Sequence, residues 1–194
     1  MGHPRTQPGD NLIAFPRADL HASLGAAMKR HRLPESLGHA LAREAANFPE
    51  VSADAALAFA LAQRLTPAPI DLEKARGILL VGAAGAGKSA VAAKIGHAAT
   101  LIGRKAERTR ADGGLVLFRT GTNPPEMLTV MEAGGFNPLN VRAASAFRAL
   151  GDIDGVETIG VVSALNDAED VGDIVTAFRF RRVIITNMDR TRRL

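Results

Sequence analysis

The chain has 194 residues, 46% hydrophobic and 23% charged, with a net charge of +4 and no cysteine. That length buries one ordinary core with an appendage; the balance excludes a disordered or fibrous chain, and the lack of cysteine excludes disulfide and thiolate chemistry. Aromatic residues make up 4%, all of them Phe, too few for the stacking platforms that grip single-stranded nucleic acid.

Residues 1–18 have no apolar stretch of signal-peptide type and read as a disordered lead-in. From 19 to 66 the pattern is helical. Leu20, Leu24 and Met28 recur at four-residue spacing, as do Leu33, Leu37 and Leu41, with Pro34 where a first helical turn tolerates it. Ser52 is the expected N-cap of a third helix carrying Leu57, Ala60, Leu61 and Leu65 on one side. The two prolines of T-P-A-P-I-D, residues 66–71, end this segment and mark a linker.

From residue 72 the rhythm changes. Apolar runs of strand length occur at 77–81 (GILLV), 114–118 (GLVLF), 126–131 (EMLTVM), 158–164 (TIGVVSA) and 181–186 (RRVIIT). Helices are predicted over 88–101, 140–150 and 167–178, the last opening on Asn166 and Glu169 at capping-box spacing. Near-continuous apolar strands alternating with helices predict an α/β fold with a mainly parallel sheet covered on both faces.

Gly82, Gly87, Lys88 and Ser89 satisfy G-x-x-x-x-G-K-[ST], with Gly85 inside the loop, directly after one predicted strand and opening one predicted helix. In this pattern the backbone N–H groups converge on phosphate oxygens, and the following helix adds its positive end. Lys88 is placed to reach the β and γ phosphates, and the Ser89 hydroxyl to ligate Mg2+. The expected fold is therefore a P-loop NTPase preceded by a small helical segment. A base reader is expected in V-I-I-T-N-M-D-R-T-R-R-L, residues 183–194. There a strand delivers Asp189, whose carboxylate can accept guanine N1–H and N2–H2 together; adenine lacks that donor pair.

These features resemble the signal-recognition-particle type GTPases, most closely the FlhF-like and FtsY-like members. The resemblance implies that residues 19–66 correspond to the helical N domain and residues 72–194 to the GTPase domain, the latter incomplete at its C-terminal end. It implies that Thr186 and Asp189 belong to the guanine-reading T-K-x-D motif, with Asn187 in place of the lysine, followed by Thr191 and Arg192. It also implies that E-A-G-G, residues 132–135, replaces the catalytic D-T-A-G motif, Glu132 serving Mg2+ and Gly135 sensing the γ-phosphate. A second strand-to-loop piece, residues 115–124, competes for that role, with Arg119 at the acid position; the carboxylate of Glu132 favours the first. The family's catalytic D-T-x-R has no match between Gly103 and Gly135, an interval that reads as too short by one strand-and-helix unit.

The expected ligands are thus GTP and Mg2+, and the implied role is nucleotide-dependent protein targeting to a membrane or placement of flagella. Two other readings stay open, a degenerate binding module without turnover and an ATP-using P-loop enzyme. A second copy or a related GTPase is the expected partner. Apolar runs well short of the about 20 residues that span a bilayer point to a cytoplasmic chain, with peripheral contact at the inner membrane face as an option. Arg179, Arg181, Arg182, Arg190, Arg192 and Arg193 form a basic C-terminal region, read first as a solvated rim, with anionic lipid or RNA left open. The five histidines share no metal-ligand spacing. Ser163 lacks the flanking glycines of a nucleophile elbow, and Asp152 and Asp154 read as turn residues.

Overall fold

The computed structural model describes residues 34–48, 51–135 and 153–190, with positions 22, 25, 26, 29 and 30 before them. The predicted lead-in, the Leu20, Leu24 and Met28 stripe, Leu33, the 140–150 helix, Asp152 and Thr191 to Arg193 lie outside the described residues. The chain divides into two units, one ending at Pro67 and the other beginning at Ala68.

In the first unit, α1 (Glu35–Ala45) starts after Pro34, and α2 (Ala53–Arg64) starts after Ser52, whose side chain accepts a hydrogen bond from the Ala55 N–H at 3.3 Å. That contact satisfies one of the otherwise unpaired amides of the first turn. Leu41 and Ala45 of α1 meet Ala56 and Ala60 of α2 in a small core, with Leu37 and Leu57 packed against it. Leu61 and Leu65 are exposed, so the buried side of α2 is its alanine stripe. Of the expected face, Ala60 and Leu57 do pack here and Leu61 and Leu65 do not: small side chains allow closer approach of two short helices. The Phe48 and Phe59 rings lie 5.2 Å apart beside this core, and Arg64 pairs with Glu44 at 2.6 Å.

The second unit is a parallel five-stranded sheet in the order β2-β3-β1-β4-β5, built from β1 (Gly77–Val81), β2 (Ala106–Arg110), β3 (Leu128–Glu132), β4 (Val156–Ser163) and β5 (Val183–Thr186). Its helices are α3 (Lys88–Leu101), α4 (Ala111–Arg119) and α5 (Ala168–Phe178). Every residue of central β1 is buried. Ile78 and Leu80 face the core shared with Val91, Ala92, Ile95 and Ala99 of α3. Leu79 and Val81 face the opposite core, shared with Ala111 and Leu115 of α4 and with Ile174 and Phe178 of α5. This is the doubly covered parallel sheet that the unbroken apolar run predicts. Each such side chain contributes about 1.5–3 kcal/mol on burial.

Two expectations change in the stretch before β3. Residues 114–118 form part of helix α4, not a strand. Ala111, Gly114 and Leu115 are buried and Phe118 is half-buried, at helical spacing, while Val116 is exposed. The Phe118 ring lies over Gly77, where a Cβ would come within 2.5 Å of it. The strand is instead A-E-R-T-R, β2, an edge strand whose charged side chains give no hydrophobic alternation. Residues 103–135 therefore hold β2 and α4 ahead of β3. The competing piece at 115–124 begins inside α4 and is removed as a strand-end motif. A smaller correction concerns α5, whose N-cap is Asp167 and not Asn166.

Candidate nucleotide site

Because all strands run the same way, the loops that follow β1, β3, β4 and β5 gather along one edge of the sheet, and β1 leads onward to α3 while its two neighbours come from later in the chain. Such switch points are where open α/β sheets bind ligands.

The loop between β1 and α3 is shaped by its glycines. A Cβ at Gly82 would sit 2.2 Å from the Val161 carbonyl oxygen of β4, so the chain leaves the sheet through a gap that only glycine fits. Gly87, the N-cap of α3, has φ +90 and packs against Thr186 of β5; Gly85, at φ +77, has open space beside it. Lys88 folds back over the loop, its Nζ donating to the carbonyls of Gly82 and Ala83, both at 2.8 Å. Burial holds the Lys88 amine below its ordinary value, and the nearby charge of Glu132 acts in the opposite direction.

Ser89 and Glu132 meet in front of the loop. Glu132 closes β3, level with Leu80 of β1, and its Oε2 accepts from the Ser89 hydroxyl at 2.6 Å. Gly135 lies beside the loop: a Cβ there would approach the Ala84 Cβ at 2.9 Å and Cα at 3.1 Å. The residues expected around the γ-phosphate, Lys88, Ser89, Glu132 and Gly135, are thus brought together.

At the other side of the loop, Thr186 Oγ1 donates to the Ala86 carbonyl at 2.7 Å, with the Val162 carbonyl 3.1 Å away. Asn187 takes the left-handed conformation at φ 56, which asparagine tolerates, and its amide donates to Ser163 Oγ at 3.0 Å. Ser163 also accepts from the Leu165 N–H at 3.2 Å, so this buried hydroxyl is an anchor between two loops. The left-handed residue turns the chain into the short 3-10 turn Met188–Arg190, which leaves Asp189 exposed after β5.

Arg108 belongs to the site and was absent from the sequence-based expectation. It lies on β2 beside Val130, two residues before Glu132 on the adjacent strand, and its Nη2 donates to Glu132 Oε1 and to the Ser89 carbonyl, both at 3.2 Å. A charged edge strand carries no sequence signal for such a contact; the β2–β3 register alone reveals it. Among the described residues no group of three or more His, Cys, Asp and Glu gathers as a metal cluster, and His39 and His97 are exposed. No helix there is long and apolar enough to cross a membrane.

No family model matches the chain, and no curated protein does. Solved structures do. The chain is similar to a crystal structure of FlhF complexed with GTP/Mg(2+), at 17% identity and TM-score 0.65, over 89% of this chain and 82% of that one. A structure of FlhF complexed with GMPPNP/Mg(2+) is 16% identical with TM-score 0.59, covering 89% and 83% respectively. The signal recognition particle 54 kDa protein from Aeropyrum pernix K1, in complex with GDP, is 16% identical with TM-score 0.57, covering 89% of this chain and 52% of that one. The chain has the P-loop fold of the FlhF and signal-recognition-particle type.

Proposed function

We propose that this chain binds GTP with Mg2+ as a GTPase module of the signal-recognition-particle type. The observation that carries the reading is the Ser89–Glu132 hydrogen bond at 2.6 Å, formed where the phosphate loop opens α3. Those two side chains are hard oxygen donors of the kind Mg2+ prefers, and their fit to the ion is supported by their convergence from residues far apart in sequence. Phosphate oxygens and water would complete the coordination. The bound ion would supply positive charge against the phosphates.

In this reading the backbone of the loop and the N-terminal end of α3 cradle the phosphates. Lys88 exchanges its bonds to the Gly82 and Ala83 carbonyls for phosphate oxygens, a swap that the open face of Gly85 leaves room for. Asp189 reads guanine, and Thr186 ties the strand that carries it to the loop. Gly135, packed on Ala84, senses the γ-phosphate through the loop backbone. The test is displacement of a fluorescent GTP analogue: GTP should compete far better than ATP, and equal competition overturns the reading.

A second reading, binding without efficient turnover, is favoured by β2, which brings Arg108 and no aspartate to the site. Under it, phosphate release stays at the level of a Lys88→Ala control. The cellular role we propose is cytoplasmic and nucleotide-dependent, in membrane targeting or flagellar placement, through association with a second copy or a related GTPase. Sedimentation with and without a non-hydrolysable GTP analogue checks the first of these partners.

A further inference from the structure

Arg108 places a fixed positive charge against both Ser89 and Glu132. The Ser89 hydroxyl and both oxygens of Glu132 are already engaged: Oε2 with Ser89, Oε1 with the Arg108 guanidinium. The same guanidinium nitrogen is fixed by the Ser89 carbonyl in the first turn of α3. Its stem passes over α3 at Gly96, where the Arg108 Cδ lies 3.9 Å from the position of a Cβ. The reach follows from register. Arg108 is level with Val130, and two residues of strand span about 6.6 Å, a distance that three methylenes and a guanidinium cover.

Electrostatics argues for a role beyond tethering. A guanidinium cannot lose its proton in a protein, so the charge is permanent, and Glu132 is only part exposed, its side chain at 21% against 45% for Arg108. A pair of this kind is screened less than a fully exposed one. A divalent ion approaching Glu132 must either displace the guanidinium or share the carboxylate with a like charge nearby. A nucleotide polyphosphate placed on the loop would meet two fixed cations, Lys88 and Arg108, before any metal arrives.

We propose that Arg108 is a resident counter-cation at the metal position: it competes with Mg2+ for the Ser89–Glu132 pair and makes nucleotide binding depend only weakly on the ion. The proposal rests on the nucleotide-binding reading above. It concerns how this chain departs from a metal-dependent phosphate loop, since the competing group is a side chain of its own edge strand.

The test is titration of a fluorescent GTP analogue, in Mg2+ and in EDTA, with the whole chain and with Arg108→Met, which keeps the stem over Gly96 and removes the charge. In the wild type, EDTA should weaken binding by less than about threefold; in R108M it should weaken binding by more than about tenfold. Arg108→Lys, retaining a point charge, should fall between. As a readout independent of nucleotide hydrolysis, Mn2+ affinity followed by electron paramagnetic resonance in the presence of nucleotide should be tighter in R108M by about tenfold. A wild-type protein that loses tenfold or more in EDTA overturns the proposal, whether or not the variant folds, as does an R108M protein with wild-type metal dependence. Absence of nucleotide binding under both conditions instead overturns the underlying reading, and the proposal with it.

Discussion

The hydroxyl of Thr186 donates to the carbonyl of Ala86, 100 residues earlier in the chain, at 2.7 Å. This bond joins the end of the outer strand β5 to the last residues of the loop after β1, so the element that carries Asp189 and that loop are positioned as one. Thr186→Val preserves shape and removes the donor. It should cost about 1 kcal/mol of stability, read as a shift of the denaturant midpoint, and weaken GTP binding by a few-fold; Thr186→Ser should restore the binding.

Lys88 supplies the charge inside the loop. Its bonds to the Gly82 and Ala83 carbonyls hold the ammonium at the loop. Charge-assisted hydrogen bonds contribute about 1.5–3 kcal/mol, so Lys88→Ala should weaken GTP binding by roughly 10- to 100-fold in a fluorescence titration. Thermal stability should fall only modestly, since the lost bonds to Gly82 and Ala83 are partly offset by relief from burying the charge, and the side chain is not part of either core of the second unit.

The same lysine predicts a pH dependence. Burial lowers the Lys88 value from 10.5, so the folded free protein binds this proton less tightly than the unfolded chain does. Its contribution to stability therefore rises with pH between the folded and unfolded values. Polyphosphate binds the protonated form and raises the value again. GTP affinity should be flat below the lowered Lys88 value and decline as pH rises through it, with proton uptake on binding in the window above that value. Calorimetry in buffers of different ionisation enthalpy measures the uptake, and Lys88→Ala should abolish it.

Gly135 is exposed yet crowded by Ala84. A Cβ 2.9 Å from the Ala84 Cβ and 3.1 Å from its Cα forces a backbone to move. Gly135→Ala should displace the phosphate loop, lowering nucleotide affinity by about tenfold, while the melting temperature changes little. A variant with wild-type affinity would show that residues 132–135 do not abut the loop in solution.

Asp189 is exposed within the 3-10 turn Met188–Arg190 and serves no core. If its carboxylate accepts the two guanine donors, Asp189→Asn should weaken GTP binding and strengthen binding of xanthosine triphosphate, whose C2 carbonyl accepts from the new amide. Competition titrations with the two nucleotides check the exchange. A variant that weakens both equally would assign Asp189 a structural role.

The parts of this protein that were legible in its sequence are those whose physics is local. Gly82 to Ser89 specify their own backbone path, because the glycines open it and the next helix begins on them. The run from Gly77 to Val81 is apolar at every position, which is what a strand buried on both faces requires. Ser52 likewise declares its helix start through one side-chain bond. The same locality made Glu132 the better acid, as a carboxylate at a strand end.

Tertiary structure decided the rest. G-L-V-L-F is an apolar run that suits either a strand or a helix; the packing of Gly114 against Met131 and of Phe118 over Gly77 selects the helix. A-E-R-T-R carries charges because it lies at the sheet edge, and its place beside β3 is set by backbone pairing, to which side-chain patterning is blind. The bonds from Arg108 to Glu132 and from Thr186 to Ala86 depend on strand order and register. Those are long-range properties of the folded sheet, and no local spacing of residues encodes them.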